Sequence, residues 1–439
     1  MSKTHTIVAF IAQIIPDRVT AINDLLRQIE SDPANNEVLP FAGFKSVHFA
    51  SLTICEGHGS GQQSVSELIL EVNSDDGFPL LLSTLAEHAG IRLIFSYCAG
   101  YPQSSPKQLP GYLRSKAHFP NAWHIGNTNR RVSQILDEHR LYEALQTRLD
   151  LLRPNPECPM GEKAIADDLK AYARVSFPWL KMACPSPNTL AQQLGLGWLL
   201  AAASLAAVIL VGLAWKLGLI LPLAAVVVTL LIGAGIYIIV LLRHEHADDR
   251  EIAARGPLLL DPRHAMELGN MEDFGLQNHL TGLIELKPGA FRRWTLWTVL
   301  FLVNIAARFS KPGELAGIPS IHFAHWALID NGTRLLFLSN FDNSWGSYLD
   351  DFTDKAGSGL TGIWSNTRNF PHTHLLVKDG AADGARFKIW ARMAQTPTRV
   401  HYRAYPTLSV ANIERNSAIR AGLTGSNSGE EIKGWLNLF

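Results

Sequence analysis

A chain of 439 residues has room for two or three domains and a sizeable core. Lys plus Arg and Asp plus Glu each total 39, so the formal net charge is zero and the basic footprint of a nucleic-acid binder is absent. The four cysteines, Cys55, Cys98, Cys158 and Cys184, form no CxxC pair; that argues against a zinc ribbon or thioredoxin site and suits a reducing compartment, with Cys55 and Cys98 as buried thiols or a disulfide.

The opening stretch "THTIVAFIAQIIPDR" lacks a small-residue cleavage site and passes directly into a charged helix pattern. It reads as a strand (about 5–15) followed by a helix (16–31) opened by Pro16 and Asp17, not as a signal peptide. The pattern then predicts strands over 46–55 and 67–73, a helix over 77–89 and a strand over 91–98. This β-α-β-β-α-β order is that of a ferredoxin-like unit. Residues 105–190 read as mostly helical, most clearly in "NTNRRVSQILDEHRLYEALQTRLDLL".

Two segments then stand apart, "LGLGWLLAAASLAAVILVGLAW" (194–215) and "LGLILPLAAVVVTLLIGAGIYIIVLL" (217–242). Each exceeds the ~20 apolar residues that cross a bilayer and neither carries a charge. Only Lys216 separates them, so the expected form is a transmembrane helical hairpin with both flanking halves on one side; a buried core hairpin is the alternative. Pro222 falls in the first turn of the second span, where a missing N–H is tolerated. Lys181, Arg243, Arg250 and Arg255 outside the hairpin, against Lys216 in its loop, favour cytoplasmic domains on a multi-pass protein of a bacterial inner membrane.

After a polar connector (243–272) the β-α-β-β order begins again. "LQNHLTGLIELKP" is a predicted strand, 289–309 a helix, and "SIHFAHWALID" and "TRLLFLSNFD" two strands across the hairpin turn Asp330-Asn331-Gly332. "KSVHFASLTI" parallels "PSIHFAHWAL", which places His48 and His322 at matching strand positions, with His325 opposite Ser51. The second unit is longer by the insert 343–380, and its fourth strand is either "THLLVKD" or "RVHYRAY". The expected fold is therefore α+β: two ferredoxin-like units packed as a dimeric-α+β-barrel-like pseudo-dimer, plus the two-helix transmembrane hairpin. The expected divisions are 1–104 (unit 1), 105–192 (mainly helical), 193–242 (hairpin), 243–272 (connector), 273–425 (unit 2 with insert) and 426–439 (tail).

The blocks "QNHLTGLIELKPG", "IPSIHFAHWALID", "LLFLSNFDNSWGSYLDDF", "GIWSNTRNFP" and "YPTLSVANIERN" resemble, in order, those of a family of uncharacterised bacterial membrane proteins. More remotely, the architecture is similar to the dimeric α+β-barrel superfamily, which includes dye-decolorising peroxidases and chlorite dismutases. That resemblance implies a haem held by a histidine.

Five histidines are candidates: His279, His322, His325, His372 and His374. Haem iron accepts a neutral imidazole, and His322 and His325 rank ahead of His372 and His374, which share one face of an extended "FPHTHLL". The alternative for each is a local hydrogen bond in or near the core. "GAADG" (380–384) resembles the Gly-x-x-Asp-Gly pattern of dye-decolorising peroxidases, which implies a role in peroxide cleavage for Asp383 with Arg386 nearby; a helix-capping turn fits equally. Asp350, Asp351 and Asp354, beside Trp345 and Tyr348, could serve acid–base or cation chemistry, or simply form a solvated helix face, and Asp342, a further catalytic candidate, adds a polar group near the end of the insert. The helix 289–309 carries Trp294 and Trp297 with Arg292, Arg293 and Arg308 flanking, a pattern suited to the lipid interface or to a helix buried against 105–190. Two functions are thus expected in competition. One is a haem-dependent, peroxidase-like oxidoreductase with a hydrophobic substrate; the other is a non-enzymatic module that binds lipid or protein at the bilayer.

Overall fold

Strict alternation of inward and outward side chains writes the sheets of this protein, and helical spacing writes the layers that cover them. The computed structural model describes residues 5–56, 65–103, 105–152, 161–181, 190–309, 313–424 and 429–439. Strand β1 (Thr6–Gln13) leads into α1 (Val19–Glu30), whose Ile22, Leu25, Leu26 and Ile29 recur on one buried face. Next come β2 (Val47–Cys55), β3 (Glu67–Ser74), α2 (Phe78–Glu87) and α3 (Ala89–Phe95). The strand expected over 91–98 is therefore helical. Ile91, Ile94 and Phe95 are buried at helical, not alternate, spacing, and the His88 side chain caps the helix by accepting the Gly90 N–H.

The segment expected to be mainly helical holds α4 (Leu109–Lys116), α5 (Val132–Leu152) and α6 (Glu162–Ser176), but also two strands, β4 (Ala117–His118) and β5 (Ala122–Ile125). Helices α7 (Leu190–Lys216) and α8 (Ile220–Arg255) are joined by three residues, with Gly218 at φ 70°. Helix α9 (Pro262–Gly269) precedes β6 (Gln277–Glu285), α10 (Ala290–Ala307), β7 (Ile321–Ile329), β8 (Arg334–Asp342) and α11 (Trp345–Trp364). The chain ends with β9 (Thr373–His374), β10 (Lys378–Asp379), α12 (Gly384–Ala394), β11 (Gln395–Thr396), β12 (Thr398–Arg403), α13 (Val410–Gly422) and α14 (Gly429–Leu436).

Ten strands form two antiparallel sheets of five, in the orders β12-β2-β3-β1-β4 and β11-β6-β8-β7-β5. Helices α1–α4 cover the outer face of the first sheet, burying Leu26, Leu82, Ile94 and Leu113 among others; α10–α12 cover the second with Leu296, Phe352, Trp364 and Trp390. The inner faces meet in a thin apolar layer of Ala9, Ile11, Ile69, Ala327, Ile329, Leu336 and Leu338. Helices α5, α6, α13 and α14 share a separate core around Leu145, Leu169, Ile419 and Trp435.

Neither candidate for the last strand of the second unit joins the second sheet: "RVHYRAY" forms β12, and "THLLVKD" supplies only the two-stranded ribbon β9–β10. Instead β12 pairs with β2 of the first sheet, and β5 pairs with β7 of the second. The two-residue strands run the other way, β4 beside β1 and β11 beside β6. Each of these segments thus begins on one sheet and finishes on the other.

Among the described residues, α8 is one helix long and apolar enough to cross a membrane, and the described apolar part of α7, Leu200–Lys216, is shorter. Past its apolar run α8 continues into the body. There Asp248 meets Lys287 Nζ (2.8 Å) and the buried Arg292, and Glu245 accepts the backbone N–H groups of Leu375 and Leu376 at 3.0 and 2.8 Å. Helix α10 packs against it through the Tyr237–Thr295 hydrogen bond (3.2 Å) and the Tyr237 and His244 rings on Phe291. Trp294, Trp297, Phe301 and Leu302 of α10 are exposed, not buried against 105–190. Arg292 is committed to Asp248, so of the three arginines expected beside lipid it is not available.

Candidate functional site

Alternation along β7 should put His322 and His325 on opposite faces. They lie on the same face, between the sheets, because the β7–β8 register shifts between Ile321 and Phe323 and leaves His322 as the extra residue of a bulge. Strand β2 shifts at the same point, between Val47 and Phe49, so His48 is placed alike. Phe49 and Phe323 then pack edge to face between the sheets, at 5.8 Å.

The middle of the inter-sheet layer is polar, and its centre is Glu71 on β3, fully buried. Ser51 Oγ donates to Glu71 Oε2 (3.2 Å), Asn73 Nδ2 donates to Oε1 (2.9 Å), and Asn340 Nδ2 reaches both oxygens at 3.3 and 3.4 Å. His279 Nε2 lies 2.7 Å from Oε2, and His325 Nδ1 3.6 Å from Oε1. Burial alone would raise this carboxyl. The charge of and hydrogen bond from His279, the charge of His325 and the hydrogen bond from Asn73 outweigh it and bring it down to about 2. A carboxylate ringed by donors holds its charge without water.

From Glu71 a chain of hydrogen bonds leads outward. His279 Nδ1 lies 2.8 Å from Thr398 Oγ1, and Thr398 reaches Thr281 at 3.2 Å. On a second branch His401 Nε2 donates to Asn340 Oδ1 (2.9 Å), and burial with the neighbouring His279, Arg403 and His322 holds its imidazole well below the ordinary range, so it is neutral. The rings of His279 and His401 stand 5.2 Å apart and, with Thr398, line a cavity of about 110 Å³. Arg403, Gln395 and Phe274 complete the parts of its wall that matter here. A carboxylate, an imidazole and a hydroxyl in hydrogen-bond sequence at a cavity wall can move a proton between bound molecule and interior.

The sequence-predicted residues fall into separate places. His322 Nε2 lies 2.8 Å from Asp342 Oδ1, and Asp342 Oδ2 accepts the N–H of Val410 at the start of α13 (2.8 Å), so Asp342 is a buried helix cap holding a histidine. His325 is fully buried; neither ring nitrogen has a hydrogen-bond partner, and desolvation, opposed by Glu71 and aided by His279, lowers it to about 4. His372 pairs with Asp249 of α8 on the surface, and His374 is exposed on β9. Neither approaches His322 or His325. Asp350 pairs with Lys388 (2.5 Å) and Asp351 with Lys355 (2.6 Å), and Asp354 is exposed, all three on the solvated face of α11. Asp383 caps α12, accepting the Arg386 N–H (3.3 Å), while the Arg386 side chain pairs back at 3.1 Å in solvent. The capping reading of "GAADG" describes the geometry of this turn.

His322 meets Asp342 through Nε2 alone, His325 faces Glu71 at 3.6 Å, and the cavity beside the polar layer, about 110 Å³, is well under the ~300–1,000 Å³ of sites for drug-sized ligands. Glu71, Thr398 and His401 escaped sequence reasoning. The one signal for Glu71 was a charge inside the apolar run "LILEVNS"; its partner His279 lies on a strand more than two hundred residues away. No protein-family profile, curated protein or solved structure matches this chain.

Proposed function

We propose that the protein is a membrane-anchored enzyme that acts by acid–base chemistry on a small polar molecule. The observation that carries this reading is the hydrogen-bonded sequence Glu71–His279–Thr398, which runs from a fully buried carboxylate to a cavity wall. In this reading Glu71 fixes the imidazole, His279 takes or returns the proton, and Thr398 passes it to the bound molecule. Arg403 gives the cavity a cation, and about 110 Å³ accommodates three or four water-sized volumes of ~30 Å³, the size of a short-chain carboxylic acid. The body is then a pair of ferredoxin-like units with exchanged last strands, supported by the matching strand orders and the matching bulges at His48 and His322.

The anchor in this reading is the two-span hairpin of α7 and α8, with both halves cytoplasmic, and α10 lies at the lipid interface on its exposed Trp294, Trp297 and Phe301. Thermal unfolding of the detergent-purified protein with acetate, lactate, pyruvate and 2-oxobutanoate tests the site. A rise in midpoint of several degrees with at least one of them, lost in Arg403→Met and Thr398→Val, is expected. No rise with any, or a rise that both variants keep, would leave the polar layer as a structural network only.

A further inference from the structure

A second cluster sits at the end of the inter-sheet layer, away from the Glu71 site. His5 precedes β1, His48 is the bulge residue of β2, and Asp75 follows β3. Their side chains are 2%, 1% and 8% exposed. His48 Nε2 lies 2.9 Å and His5 Nε2 3.5 Å from Asp75 Oδ1, and the three candidate donor atoms all fall within 4.8 Å of one another. The Arg130 carbonyl oxygen is 3.1 Å from His5 Nε2.

We propose that His5, His48 and Asp75 bind a divalent transition-metal ion of the zinc class, with the Arg130 carbonyl oxygen as fourth ligand. Two imidazoles and a carboxylate are the ligand types such an ion prefers, and bonds of ~2.0–2.1 Å arranged tetrahedrally separate neighbouring donor atoms by roughly 3.3–3.4 Å. The separations of 2.9, 3.1 and 3.5 Å bracket that edge length. The outer partners are also in place. His48 Nδ1 lies 2.9 Å from Tyr405 Oη, so donation there frees Nε2 for the ion, and Asp75 Oδ2 is held by the Val132 N–H at 2.9 Å, leaving Oδ1 to ligate. Binding then needs both imidazoles to carry a proton on Nδ1 and turn Nε2 to the ion. Such low exposure makes the ion a structural tie between the first sheet and the loop that opens α5.

The second sheet supplies an internal control. Gln277, which pairs with Asp342 in the β6–β8 register, lies with its Nε2 3.3 Å from His322 Nε2, so a glutamine stands there where the first sheet has His5. The full-length protein, purified in detergent and stripped with a chelator, is titrated with Zn²⁺ and separately with Co²⁺. One Zn²⁺ per chain by elemental analysis and the visible absorption of tetrahedral Co²⁺ are expected. His5→Gln, which copies the second sheet and keeps a neutral side chain of similar reach, should weaken Zn²⁺ binding by about 100-fold or more. His322→Gln should leave it unchanged. Absence of stoichiometric Zn²⁺, wild-type affinity in His5→Gln, or equal loss in His322→Gln would each overturn the proposal.

Discussion

A buried carboxylate keeps its charge only through its neighbours, and at Glu71 the donors are Ser51, Asn73, His279 and Asn340. Glu71→Gln turns an acceptor into a group that presents its own N–H to those donors. We expect a loss of about 3 kcal/mol in urea-induced unfolding at pH 7, as for other broken buried pairs. The same side chains set the acid response. His325, faced by Glu71 and His279, stays neutral in the fold down to about pH 4 but takes a proton near 6.5 when unfolded. Its contribution is therefore complete above pH 6.5 and falls away as the pH drops toward 4. Glu71, at about 2 folded against 4.5 unfolded, contributes above pH 4.5 and loses that contribution toward pH 2. Urea midpoints should fall from pH 7 to pH 4, and His325→Leu should flatten that fall. Because it also removes two buried ring nitrogens without partners, His325→Leu should gain about 1 kcal/mol at pH 7. In the sequence His322 and His325 were visible as histidines in an apolar strand, but which way they face was not, since a single bulge residue reverses the alternation.

Strand β5 seats itself against β7 where β7 bulges. Directly after β5, Gly126 donates its N–H to the His322 carbonyl (2.9 Å), and a side chain at Gly126 would place Cβ 2.3 Å from the Ile321 carbonyl oxygen. The oxygen belongs to backbone and the Cβ is fixed directly to it, so neither can swing aside. Gly126→Ala should cost about 1–3 kcal/mol in unfolding free energy, the usual range for overpacking, and should weaken amide-exchange protection at 122–125 ahead of the rest of the second sheet. The central strands, β1, β2, β3, β6, β7 and β8, were readable in the sequence because each carries its own alternation or hydrophobic run. The edge segments were less so: "RVHYRAY" stood only as one of two candidates for a strand, and its place in the first sheet was not legible. Strands β4 and β11 have two residues each, too few for a period to show, and β5 and β12 depend on partners in the opposite sheet. The helix α3 was misread for a related reason: "IRLIFSYC" is an apolar run whose length suits either element.

At the scale of the molecule, the body has an apolar stripe on α10, where Trp294 is 68% and Phe301 51% exposed, beside the emerging α8. Burying Trp294, Trp297 and Phe301 in lipid is worth on the order of 1.5–3 kcal/mol each before ordering costs. Replacing 194–242 by a flexible linker should therefore leave the protein partly membrane-associated in flotation with anionic vesicles. Trp294→Ser with Trp297→Ser in that background should release it. A freely soluble, folded deletion variant would show that α10 does not hold the body to lipid. The exchanged strands carry a different consequence, one of timing. The first sheet cannot close until β12 arrives to cover the edge of β2, and some 340 residues separate the two along the chain. At ~5–20 residues per second, synthesis leaves that edge bare for roughly 20–70 s. All of α7 and α8 is made in that interval, so the first half must wait, open and prone to wrong pairing, while the apolar helices are disposed of. A nascent-chain protease assay should find residues 47–74 protected only after residue 403 has cleared the ribosome.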